Sequence, residues 1–116
     1  MIALQLSDDN YSKLERRREI IDGLATLSSN IKKVLECDST VKRIAQGMKN
    51  AQHLILLGRG YQGATCLEGA LKIKEVSYIH AEGILAGELK HGPLALIEPA
   101  MPILLIMNKD RHYSVF

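Results

Sequence analysis

Two short aliphatic runs constrain the architecture most. His53-Leu54-Ile55-Leu56-Leu57 ends at Gly58, and Pro102-Ile103-Leu104-Leu105-Ile106-Met107 follows about forty residues later, too far for a hairpin and suited to a crossover between parallel strands. Runs that are short and almost wholly apolar read as parallel strands buried on both faces. Gly58-Arg59-Gly60 makes a tight turn after the first run, and a helix is predicted from about Tyr61 to Tyr78. The result is a βαβ-like unit with too few strands for a complete sheet. The segment around Glu82, interrupted by His80 and Gly83, reads as a poor second strand.

Upstream, Ile20, Ile21, Leu24, Leu27, Ile31, Val34 and Leu35 recur with a period near 3.6, so the first third is predicted to be helical. Arg16, Arg17 and Arg18 lie outside that stripe and read as a solvated face, since no aromatic residues interleave with them as a nucleic-acid contact would require. Asp38, Ser39 and Thr40 supply cap-type residues before a second amphipathic helix carrying Val41, Ile44, Ala45 and Met48. No Pro-, Gly- or Ser-rich linker divides the chain.

A length of 116 residues is one domain or part of one. A net charge of +2 with 24% charged residues argues against nucleic-acid and polybasic membrane binding, leaving a small molecule or another protein as partner. Cys37 and Cys66 are the only thiols, and the chain starts with no secretory pattern and contains no bilayer-length apolar run. Reduced cysteines and a cytoplasmic address follow as expectations. The four His and two Cys show no metal-ligand spacing, so no metal site is expected.

The chemistry concentrates in residues 66–93. Glu68, Lys72 and Glu75 stand at i, i+4 and i+7, which stacks two carboxylates and an ammonium along one helix face. Such a face is either a pair of exposed salt bridges worth a few tenths of a kcal/mol or, with Glu75 partly buried and Lys72 beside it, a base that moves a proton between carbons next to a carbonyl. His91, in Lys90-His91-Gly92-Pro93, is either a capped loop histidine or an acid/base group on an irregular backbone fixed by Gly87, Gly92 and Pro93. Gly58-x-Gly60-x-x-Gly63, with Glu82 some 20 residues on, also matches the dinucleotide fingerprint. The same glycines serve equally as a plain turn or as an anion site at a helix start.

The stretch LGRGYQGATCLEGALKIKEVSYIHAEGILAGELKHGPLALIEPAMPILLIM resembles the second sugar-isomerase (SIS) subdomain of the glutamine–fructose-6-phosphate aminotransferase family. ERRREIIDGL and IKKVLECD are similar to the helical segment joining the two isomerase subdomains in the eukaryotic-type enzymes, and MIALQLSDD looks like the end of a helix of the preceding subdomain. The resemblance implies an α/β fold: a partial SIS subdomain, with a flavodoxin-like, doubly wound parallel sheet, preceded by a helical segment. Residues 1–37 would join the subdomains and residues 38–116 would begin the second.

It also implies a function: amination of ring-opened fructose 6-phosphate at C2, with ammonia from glutamine, and isomerisation to glucosamine 6-phosphate. By that resemblance Glu75 shuttles the proton between C1 and C2, while Glu68 and Lys72 set its charge environment and help position the sugar. His91 assists ring opening and reaches the active site of a neighbouring subunit, making a homodimer part of the apparatus. The partner is then a sugar phosphate, without nucleic acid, membrane or cofactor. The alternatives are a non-catalytic sugar-phosphate-binding SIS module and a dinucleotide-binding fragment.

Gly63 stands where the family usually has a larger, often aromatic residue and is expected to loosen the first helical turn. The glutaminase domain, the phosphate loop of the first subdomain and the Schiff-base lysine fall outside the resemblance, and Arg111 to Phe116 leave the last strand with no helix to cover it. The chain therefore reads as a piece of the enzyme, with little or no catalysis of its own. The strand edge at Ile103 to Met107 is expected to favour association.

Overall fold

A computed structural model describes residues 2–7 and 11–109. The chain divides into two compact units, Met1–Gln46 and Gly47–Phe116. The expectation for Arg111 to Phe116 lies outside the described residues.

The first unit is helical. Helix α1 spans Ile2–Leu6, a single 3-10 turn spans Tyr11–Lys13, α2 spans Leu14–Leu35 and α3 spans Asp38–Gly47. Glu15 in the first turn of α2 and Lys32 and Lys33 in its last complement the helix dipole. The predicted apolar stripe is on α2, but its residues, Ile20 through Leu35, are all exposed. Arg16 pairs with Glu19 at 2.8 Å on the surface, as a solvated face does. Asp38 lies within α3 instead of before it. The Cys37 carbonyl accepts bonds from the N–H groups of Thr40 and Val41, both at 3.0 Å, which starts the helix one turn earlier than the cap-type residues indicate. Gly23, in the middle of α2, has open space where a Cβ would stand. Gly23→Ala is expected to stabilise the chain by up to about 1 kcal/mol, read by thermal or urea unfolding, because alanine costs less backbone entropy there.

The second unit is a three-stranded parallel sheet in the order β2-β1-β3, with β1 at His53–Gly58, β2 at His80–Leu85 and β3 at Ile103–Ile106. Helix α4, Tyr61–Ser77, links β1 to β2. The two aliphatic runs are thus parallel neighbours, with Ile55 opposite Ile103 and Gly58 opposite Ile106. Alternate side chains of β1 point to opposite faces. Leu54 and Leu56 pack with Cys66 and Ala70 of α4 and with Ala81. Ile55 and Leu57 pack with Ile84 on the other face, which is covered by Ala86, Leu89, Ile97 and Met101. Burial on both sides is why β1 is apolar through Leu57. Edge strand β3 leaves Ile103, Leu104 and Leu105 exposed, the arrangement that invites pairing with another chain.

The expectation of a poor strand around Glu82 is corrected: His80–Leu85 is β2, paired with β1 from His53↔His80 to Gly58↔Leu85. Gly83 does not interrupt it. A Cβ there would stand 2.7 Å from the Cys66 carbonyl oxygen and 2.8 Å from Leu67 Cα, so glycine is what lets β2 approach the α4 backbone. Gly63 is buried in the first turn of α4, and a Cβ there would meet the terminal methyl of the Leu85 side chain.

Both cysteines are free, Cys37 exposed and Cys66 buried. Desolvation by burial pushes the Cys66 thiol above its ordinary value of 9.0. Because the folded state disfavours the thiolate, this group's contribution to stability is fully present below about pH 9 and is lost as pH rises further. Iodoacetamide at neutral pH is expected to label Cys37 quickly and Cys66 only after denaturation, as read by mass spectrometry. Equal labelling rates would mean that α4 opens readily from the sheet.

Candidate functional site

The buried positions of α4 are Gly63, Cys66 and Ala70, with Ile73 packed against the same cluster. At 100° per residue, Glu68, Lys72 and Glu75 fall on the opposite side of the helix. They meet there as the spacing predicts. Lys72 Nζ donates to Glu75 Oε2 at 2.7 Å and lies 3.8 Å from Glu68 Oε1. The side chains are 65% (Glu68), 57% (Lys72) and 50% (Glu75) exposed. The partial burial that a proton-transfer role calls for is therefore not supplied by this chain, because the trio points away from its own sheet.

His91 is not brought to the trio. It ends the 3-10 turn Ala86–His91 and precedes Gly92, at φ +147°, a conformation that favours glycine; a second turn follows at Pro93–Leu96. This stretch belongs to the covering of the Ile55/Leu57 face, against which Leu89 packs, whereas α4 covers the Leu54/Leu56 face. The sheet stands between His91 and Glu75. His91 itself is exposed.

Glu82 of the dinucleotide fingerprint pairs with Ile55, three residues before the Gly58↔Leu85 end of the sheet. That is about 10 Å back from the carboxyl edge where dinucleotides bind, so the fingerprint is not completed. Gly63 is accounted for by its packing against Leu85. Among the described residues no group of three or more His, Cys, Asp or Glu is placed to hold a metal ion, and no helix is long and apolar enough to cross a membrane. A cavity of about 260 Å³ lined by Gly47, Met48, Asn50, Ala51, Ala100 and Pro102 carries no titratable side chain, so it offers no acid–base chemistry. The predicted acid–base residues thus lie on the outward face of α4 and in the turn at His91.

Comparison with known proteins places the fold in a family. Residues 47–115 match the SIS domain family. The chain is 57% identical, over 98% of its length, to glutamine–fructose-6-phosphate aminotransferase (isomerizing) of Encephalitozoon cuniculi, and covers 16% of that protein. It is 54% identical over 95% of its length to the enzyme of the same name from Saccharomyces cerevisiae, again covering 16%. Among solved structures, the C-terminal domain of glucosamine-fructose-6-phosphate aminotransferase from Francisella tularensis superposes with a TM-score of 0.84 at 36% identity, over 88% of this chain and 29% of that one. The chain thus spans about a sixth of the length of the curated relatives it matches. With a βαβ sheet that superposes on the Francisella domain and a family match over most of the second unit, the chain belongs to the SIS domain family and matches the SIS portion of glutamine–fructose-6-phosphate aminotransferases.

Proposed function

We propose that this chain forms one wall of the isomerase site of a glutamine–fructose-6-phosphate aminotransferase, a cytoplasmic enzyme making glucosamine 6-phosphate for hexosamine and UDP-N-acetylglucosamine synthesis. The observation that carries the reading is the Glu68–Lys72–Glu75 cluster on the outer face of α4, with Lys72 bonded to Glu75 at 2.7 Å. In the proposed step the Glu75 carboxylate removes a proton from C1 of the C2 imine of fructose 6-phosphate. The electron pair forms the C1=C2 double bond and the imine nitrogen takes a proton, giving an enolamine. The proton returned to C2, with loss of the C1 hydroxyl proton, then leaves an aldehyde at C1 and an amine at C2. Lys72 orients the carboxylate and Glu68 completes the charge balance around the sugar. Within this reading residues 1–37 join two isomerase subdomains and residues 38–116 begin the second.

His91 serves ring opening, and the intervening sheet supports its doing so in a different site from its own chain's Glu75. A homodimer that exchanges this histidine satisfies both roles. Subunit mixing in the complete enzyme tests this. Glu75→Gln and His91→Asn proteins are each expected to be nearly inactive, while an equal mixture, about half of it mixed dimers with one intact composite site each, recovers roughly a quarter of wild-type activity. Mixtures that stay inactive would place Glu75 and His91 in the same subunit's site, and a Glu75→Gln enzyme that keeps its turnover would favour a sugar-phosphate-binding module.

A further inference from the structure

His53 and His80 are 27 positions apart, and the parallel register of β1 and β2 sets them directly opposite each other. Their Nδ1 atoms are 3.5 Å apart, and the rings meet edge to face with centroids 5.5 Å apart. Both side chains are exposed at the N-terminal edge of the sheet, whereas phosphate-binding and catalytic groups of such sheets gather at the carboxyl edge. The backbone beneath them is tied, with the His80 N–H bonded to the Gln52 carbonyl at 3.0 Å.

We infer that His53 and His80 form a two-histidine site for a divalent ion of the zinc class. Two nitrogens each ~2.0–2.1 Å from a tetrahedral ion stand ~3.3–3.4 Å apart, close to the 3.5 Å at which the two rings now share an N–H···N hydrogen bond; an ion replaces that hydrogen bond once each ring tilts to aim its nitrogen at it. Imidazole suits zinc, copper and nickel. No third His, Cys, Asp or Glu among the described residues joins the pair, so two positions on the ion remain for water. Glu82 stands two residues along β2 on the same face as His80 and is exposed, adding a negative charge to that face. Sequence spacing gives no hint of this pair, because only the strand register makes the two residues neighbours. An ion held there pins the start of β2, an edge strand, to the start of β1.

The test is calorimetric titration of the full chain with zinc chloride. About one equivalent is expected to bind. His53→Asn and His80→Asn should each weaken that binding roughly 100-fold, because the second imidazole otherwise binds intramolecularly at high effective concentration. His91→Asn and Cys37→Ser should leave the isotherm unchanged. Independently of any variant, zinc is expected to shift the ring nitrogen resonances of His53 and His80 together in the native protein. No uptake, unchanged binding in either His53→Asn or His80→Asn, or zinc-induced shifts confined to other histidines would overturn the inference.

Discussion

Glu75→Gln, introduced into a complete aminotransferase carrying this segment, is expected to lower kcat about a thousandfold while leaving the affinity for fructose 6-phosphate within about threefold of wild type. Glutamine keeps the shape of the side chain and a hydrogen-bonding oxygen for Lys72, and removes only the ability to take up the proton. The magnitudes separate this outcome from the plain structural alternative. As an exposed i,i+3 partner of Lys72 at 2.7 Å, with half of its side chain in solvent, Glu75 contributes only a few tenths of a kcal/mol to the helix. Loss of that pair alone would leave kcat essentially unchanged. Steady-state kinetics with a parallel sugar-phosphate titration decides: an unaltered kcat would remove Glu75 from the chemistry, and a fall confined to affinity would make it a binding residue.

A large effect on folding is expected from Gly83→Ala. A single methyl at this position of β2 would stand 2.7 Å from the Cys66 carbonyl oxygen and 2.8 Å from both the Cys66 carbonyl carbon and Leu67 Cα. Those are backbone atoms of α4 and cannot rotate away, so the helix must lift from the sheet. Cys66 and Ala70, buried between α4 and the sheet, would then lose contact with Leu54, Leu56 and Ala81. A destabilisation of about 3 kcal/mol follows, measurable as a lower urea midpoint. Gly23→Ala in the same chain is expected to move the midpoint the other way, because its Cβ meets open space. If Gly83→Ala left the midpoint unmoved, α4 and β2 would not be as closely packed as described.

The contrast between these glycines shows where sequence reading ends. Gly23 and Gly83 look alike in one dimension; what distinguishes them is a helix backbone contributed from sixteen or more positions away along the chain. The same blindness made the segment around Glu82 look unfit for a strand, since a glycine demanded by close approach cannot be told from one that breaks a ladder. Gly63 likewise has a neighbour, Leu85 across the α4–β2 contact, that its place in the sequence does not reveal.

What the amino-acid sequence determined by itself is local. The span of α4, the aliphatic runs of β1 and β3, and the convergence of Glu68, Lys72 and Glu75 follow from 3.6-residue periodicity, strand burial and turn glycines, all properties of near neighbours in the chain. The tertiary structure alone decided three further things. It formed β2 and fixed its register, setting His53 beside His80. It turned the Glu75 face away from the sheet and left it open. It also put the sheet between Glu75 and His91. Each of these depends on which atoms meet across the α4–β2–β1 layers, and that is settled by packing between segments whose sequence separation carries no trace of the contact.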